Sequence, residues 1–161
     1  MKKTFKTILL LLLTSCLLVA CGEETVDDSG LTRYRANTFE IRVPASWETI
    51  SNTDMTAPVR GTIELAMRSE ISNRGFRNNL TILSDDTFTE ATASEYLQQS
   101  LVFATKEYLT TTVESQQNLE FDDGAESRLA IYRAKYNEVT EERLFMQTAR
   151  LCGKRVYLLT L

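Results

Sequence analysis

Residues 92–109 read Thr-Ala-Ser-Glu-Tyr-Leu-Gln-Gln-Ser-Leu-Val-Phe-Ala-Thr-Lys-Glu-Tyr-Leu, a stretch whose period sets it apart from the rest of the chain. Thr92 followed three positions later by Glu95 has the form of a capping box, in which each side chain satisfies an orphan helix N–H. Leu97, Leu101, Ala104 and Tyr108 then recur at helical spacing, and Val102, Phe103 and Leu109 widen the apolar stripe. The pattern predicts one helix of four to five turns over 93–110.

Outward from the helix the period drops to two. Four strand-like runs follow it: 112–121, 127–136, 143–152 and 155–161. Asp122-Asp123-Gly124 supplies one turn and Gly153-Lys154 a tight hairpin. Before the helix, 31–36 and 38–43 read as two short strands. Phe39, Ile41 and Val43 alternate there with Glu40 and Arg42, and Pro44 ends the run because it lacks a ladder N–H. Residues 62–68 and 79–83 are further strands, separated by a basic loop over 72–78, while 51–61 reads as a polar loop holding Pro58. Strands joined by short turns around a single helix make this an α+β chain with a mainly antiparallel sheet.

The later strands are apolar on both faces. Ala130, Tyr132, Ala134 and Tyr136 oppose Leu129 and Ile131. Leu144 and Met146 oppose Phe145, Ala149 and Leu151, and Val156 and Leu158 oppose Tyr157, Leu159 and Leu161. A sheet with one wet face alternates apolar with polar, so both faces call for a cover. The helix provides one. For the other, the expectation is a missing final helix or strand–helix segment, with 31–75 as the alternative cover.

At the other end of the chain Lys2, Lys3 and Lys6 precede the uncharged run 8–20, and small residues lead into Cys21. This is the layout of a secretory leader. Thirteen residues at about 1.5 Å each give roughly 20 Å, short of the ~30 Å hydrocarbon core of a bilayer. Leu18-Val19-Ala20-Cys21 resembles the lipobox of bacterial lipoproteins. Leu13-Thr14-Ser15-Cys16 fits a looser version, but a cut there would strand Leu17 to Ala20 on the mature end. The resemblance implies cleavage after residue 20, diacylation of Cys21 with chains such as palmitate, and acylation of the new amino terminus. The expected organisation is a leader over 1–20, a lipidated flexible tether over 21–30 and one domain over 31–161. The tether carries Glu23, Glu24, Asp27 and Asp28 with one apolar side chain, and its charge is expected to be repelled by anionic headgroups.

Composition narrows the function classes. Removing a leader with three lysines and no acids takes the formal net charge from −4 to −7. No basic stripe for nucleic acid is present. Histidine is absent, which removes the commonest general base and transition-metal ligand together. Cys152 is the one cysteine beyond the anchor, so no internal disulfide is expected.

Together, Phe39-Glu40-Ile41-Arg42-Val43-Pro44-Ala45-Ser46-Trp47, Asn79-Leu80-Thr81-Ile82, Thr92-Ala93-Ser94-Glu95-Tyr96, and Gln147, Gly153, Tyr157 and Thr160 in that order resemble the Mog1/PsbP-like family. The likeness runs from Tyr34 on. It implies an alpha-beta-alpha sandwich whose closing helix, past the last strand, this sequence does not contain. Members include extrinsic subunits of photosynthetic complexes, a Ran-binding protein and short bacterial lipoproteins of no assigned role, so the likeness implies a binding or supporting module. It carries over no catalytic residues and no cofactor.

Candidate site residues are correspondingly few. Trp47, the chain's lone tryptophan, is either a core plug where the first strands meet the helix or a ligand-stacking ring. Arg68, Arg74 and Arg77, among Asn73, Asn78 and Asn79, form the local basic patch that could dock an acidic partner or headgroup. Asp85-Asp86 and Asp122-Asp123 lack the alternating spacing of a calcium loop and read first as turns. Cys152 reads as a small buried hydrophobe, with a reactive thiol as the alternative. The expected protein is a non-catalytic lipoprotein, held outside the cytoplasm by acyl chains on Cys21, that binds another protein. The alternatives are a small-ligand carrier and, less favoured, a hydrolase.

Overall fold

The computed structural model describes residues 30–51, 61–70, 76–86 and 92–161. The leader, Cys21, most of the tether, the loop around Pro58 and Arg74 lie outside the described residues. The chain divides into two compact units, with the boundary between Ala45 and Ser46.

The first unit contributes a hairpin of β1 (Leu31–Arg35) and β2 (Glu40–Pro44), antiparallel, with Arg33 opposite Arg42 and Tyr34 opposite Ile41. Its loop closes with Ala36 N–H donating to the Phe39 carbonyl at 2.9 Å.

The second unit is a seven-stranded, wholly antiparallel sheet. In chain order its elements are β3 (Glu48–Thr49), β4 (Thr62–Arg68), β5 (Asn79–Asp85), α1 (Ala93–Glu107), β6 (Thr110–Glu120), β7 (Glu126–Lys135), β8 (Arg143–Cys152) and β9 (Arg155–Thr160). In space the strands run β3-β4-β5-β9-β8-β7-β6. The last strand thus lies between β5 and β8, and the helix crossover is what allows the chain to return there. Tight turns carry the remaining register: Gly124 and Gly153 both have positive φ at the β6–β7 and β8–β9 reversals.

Helix α1 begins as the sequence predicts. Thr92 Oγ1 accepts from the Glu95 N–H at 3.2 Å, and Glu95 Oε2 accepts from the Thr92 N–H at 2.7 Å. It stops three residues short of the expected end. Tyr108 takes an extended conformation, and the following Thr110-Thr111-Thr112-Val113 is β-branched throughout, which favours the strand β6. The buried stripe is also narrower than expected. Leu97, Leu101 and Ala104 are buried, but Val102, Phe103 and Leu109 are exposed, because the helix rests on the sheet along one line of residues only.

That line meets Ala130, Tyr132, Ala134, Ala149, Val156 and Leu158 in one core cluster. Alanines on β7 and β8 let the helix approach closely, and each fully buried leucine contributes roughly 2 kcal/mol. On the opposite face the register aligns Leu65 with Ile82 and Ile82 with Leu159. There Leu65, Met67, Ile82 and Tyr157 are buried, whereas Leu144 is 50% exposed. Burial is therefore uneven across this face, deep over β4, β5 and β9 and shallow at Leu144 on β8. One glycine is sterically required. At Gly61, with φ +83°, a Cβ would sit 2.4 Å from the Ser84 carbonyl oxygen.

Leu97→Ala is expected to cost about 3 kcal/mol in urea unfolding, as a fully buried leucine does, and Val102→Ala under about 0.5 kcal/mol as an exposed one. Equal effects would show that the helix buries both flanks.

Candidate binding cleft

The backbone gathers one end of the sheet into a cleft of about 320 Å³. Asn79 opens β5, Arg143 opens β8, and Leu161 follows β9, so three adjacent strands begin or end there. The Met146 and Leu161 peptide groups exchange hydrogen bonds of 2.8 and 2.9 Å, which fixes the floor. Trp47, Phe76, Leu144, Phe145, Met146 and Leu161 supply apolar walls, and Asn78, Asn79 and Arg143 the polar groups. Phe76 is held by the segment after it: the Asn78 carbonyl accepts from the Ser69 N–H at 2.8 Å, and the Asn78 N–H donates to Ser69 Oγ at 3.0 Å. The Arg143 guanidinium lies 4.1 Å from the Phe76 ring centre and pairs with Glu141 at 3.1 Å. It is thus a cation held over an aromatic wall.

Trp47 is half-buried in this wall and has no place in the helix-facing core cluster, so the core-plug reading is corrected. Its neighbour Glu48 gathers two members of the expected basic patch. Arg68 Nε donates to Glu48 Oε1 at 2.7 Å, and Arg77 Nη1 reaches the same oxygen. The Arg68 hydrogen bond, followed by its charge and by Arg77, holds the Glu48 carboxyl below the usual range. Arg68 and Arg77 are therefore a half-neutralised group flanking the cleft, not a bare cationic loop. Of the cleft residues that sequence reading missed, Phe76 lies far along the chain from the adjacent Arg143 and Leu144, and neither segment carries a local motif.

The acidic pairs have structural partners. Asp86 accepts from Arg155 at 2.5 and 2.8 Å, and Asp85 accepts from the Tyr96 hydroxyl at 3.4 Å. Asp123 forms a two-pronged pair with Arg150, whose guanidinium lies over Phe121 at 4.8 Å. Arg150 Nε also donates to Cys152 Sγ at 3.4 Å, and that thiol is half-buried rather than sealed in the core. Among the described residues no group of three or more acid or cysteine side chains is placed to hold a metal ion.

What the cleft offers is apolar contact and stacking with two amides and one cation at the rim, a combination suited to binding. No protein-family model matches the chain, and no curated protein matches it. Among solved structures it is similar to the crystal structure of PA94 from Pseudomonas aeruginosa, a protein of unknown function provisionally termed a regulator. The identity is 15%, the TM-score 0.52, and the match covers 81% of this chain and 80% of that one. That likeness is one of fold.

Arg150 hydrogen bonding lowers the Asp123 carboxyl from 3.8 to about 2. Because the folded value lies below the unfolded one, the stabilisation is complete above about pH 4 and is lost as pH falls through 2. Asp123→Asn is expected to flatten the loss of urea midpoint between pH 4 and 2. An unchanged acid limb would show that other carboxylates control it.

Proposed function

We propose that this chain is an extracytoplasmic lipoprotein whose sheet unit binds another protein through the strand-end cleft without catalysing a reaction. The observation that carries the binding reading is Leu144, half exposed in an apolar wall beside Trp47 and Phe76. Exposed apolar surface rimmed by polar groups marks interaction sites. A catalytic reading has less support, since Asp86, Asp123 and Glu48 are engaged with arginines and the sequence holds no histidine.

The location rests on the sequence. Leu18-Val19-Ala20-Cys21 supports a membrane-facing anchor of two or three acyl chains, which at about 0.8 kcal/mol per buried CH₂ makes desorption negligible. Gly22 after Cys21 suits sorting to an outer membrane where the host has one. Among the described residues no helix is long and apolar enough to cross a membrane. In fold, the motif order supports the Mog1/PsbP-like family, and the one-helix antiparallel sheet is compatible with it. A second reading, a carrier of a small apolar ligand, is favoured by the cleft volume of about 320 Å³, at the low end of the range for ligand pockets.

Leu144→Asp places a charge in the cleft without touching the buried core. In detergent extracts of native membranes it is expected to reduce recovery of a stoichiometric protein partner at least tenfold, while a co-purified small molecule in native mass spectra would support the carrier instead. Equal partner recovery would remove the cleft from the binding role. Separately, intact-mass measurement is expected to show the chain starting at an acylated Cys21, and Cys21→Ser to leave that acylated species absent. An unmodified thiol in the native protein would overturn the anchor.

A further inference from the structure

The cleft lies where a strand of the sheet would continue. Strand β9 pairs with β5 on one side and β8 on the other, with Thr160 opposite both Thr81 and Gln147. The ladder reaches Leu161, which exchanges hydrogen bonds with Met146. Strand β8 runs three residues beyond that contact, through Phe145, Leu144 and Arg143, and β5 runs beside it through Leu80 and Asn79. Two strand spacings separate β5 from β8, roughly 9 to 10 Å, which is the room one inserted strand needs. Among the described residues no strand lies between them there. The backbone groups lining this slot follow from the alternation of an antiparallel ladder. Met146 points its N–H and C=O at Leu161, so Leu144, two residues earlier, points its own into the slot. Thr160 faces Thr81 on the other side, so Asn79 does the same from β5. Asn78 fits this alternation, since its carbonyl and its N–H both go to Ser69, away from the slot. Leu144 and Asn79 are both exposed.

We infer that the slot accepts the amino-terminal segment of a partner protein as an added strand, an inference that rests on the protein-binding reading of the cleft. In strand addition, main-chain hydrogen bonds give affinity and alternate side chains give specificity. Every pairing in the sheet unit is antiparallel. Parallel pairing is slightly less stable, so the inserted chain runs in the sense of β9 and begins against Leu161. Its first residue then exchanges hydrogen bonds with Asn79, and its second with Leu144. The slot takes about three residues, since β8 extends for roughly 10 Å past Met146. Register places the first side chain beside Phe145 and the second beside Leu144. The second is apolar, because Leu144, Trp47 and Leu161 line the same cleft. The third reaches the rim beside Arg143 and Asn78 and is polar. A small apolar ligand would fill the wall but leave the facing donors and acceptors of two strands unmatched. A peptide backbone presents both at the strand period. Neither β5 nor β8 shows the slot in its own sequence.

The test uses the processed protein in detergent, with synthetic tetrapeptide amides that carry Val, Leu or Phe at the second residue and Thr elsewhere. Amide hydrogen exchange is followed by NMR. Saturating peptide is expected to slow exchange at Leu144 and Asn79 by about tenfold or more and to leave Val113, on β6, unchanged. Methylating the N–H of the peptide's second residue removes the donor to the Leu144 carbonyl and leaves the protein untouched. It is expected to weaken binding roughly tenfold, as an unreplaced hydrogen bond does. Asn79→Pro removes the slot-facing donor of β5 while Leu80 stays paired with β4, and a similar loss is expected. Equal binding of the methylated peptide overturns the inference, because side chains alone would then account for it. So does unchanged exchange at both amides in about 10 mM peptide, which saturates even a Kd of about 1 mM. A native polypeptide that extends past Leu161 and protects both amides by itself overturns it too, since the slot then belongs to its own chain. The two readings fail separately. Equal partner recovery by Leu144→Asp removes the cleft from binding, whereas lost recovery with both amides unprotected in the wild-type complex removes strand addition alone.

Discussion

The sheet unit depends on how near one helix can come to a sheet whose strands are apolar on both sides. Helix α1 brings leucines at positions 97 and 101, and the strands beneath answer with Ala130, Ala134 and Ala149. Large on small is the condition for close packing, and it places α1 over β7 and β8, toward the β6 edge of the seven-stranded sheet. Tyr132 and Phe145, stacked at 5.1 Å, fill the flank where alanine leaves room. This one contact layer also requires the topology. A helix of fifteen residues must leave β5 and deliver the chain to the far edge at β6, after which three hairpin steps bring it back to β5 through β9.

Charge is arranged around that layer rather than inside it. Arg150 with Asp123 ties the β6–β7 turn to β8, Arg155 with Asp86 ties the end of β5 to β9, and Arg133 with Glu114 joins β6 to β7. Each links neighbours in the ladder, where exposed pairs add little stability but set which side chains face solvent. Arg68 and Arg77 on Glu48 do the same near the cleft. Acid side chains held this way serve register and turn geometry.

Two surfaces of different chemistry result. The cleft is aromatic and aliphatic with a single stacked arginine, and it belongs to the sheet unit. The hairpin face carries Arg33, Arg35 and Arg42 beside Glu40, and it belongs to the first unit.

Much of this architecture was legible in local patterns. The capping box at Thr92 and Glu95, the Asp-Asp-Gly and Gly-Lys turns and the bounds of β8 follow from interactions spanning only a few residues, which is why sequence alone determined them. Sequence also determined the antiparallel, one-helix class, through the change of period at Thr92. Val102 and Phe103 were misplaced because helical spacing reports an apolar stripe but not the width of the surface beneath it. Trp47 was misplaced because its surroundings come from β5, β8 and Leu161, up to 114 positions away. The cleft and the arginine face were decided by tertiary structure alone: each is made by register between strands, and register depends on side-chain packing across the sheet, which no single segment encodes.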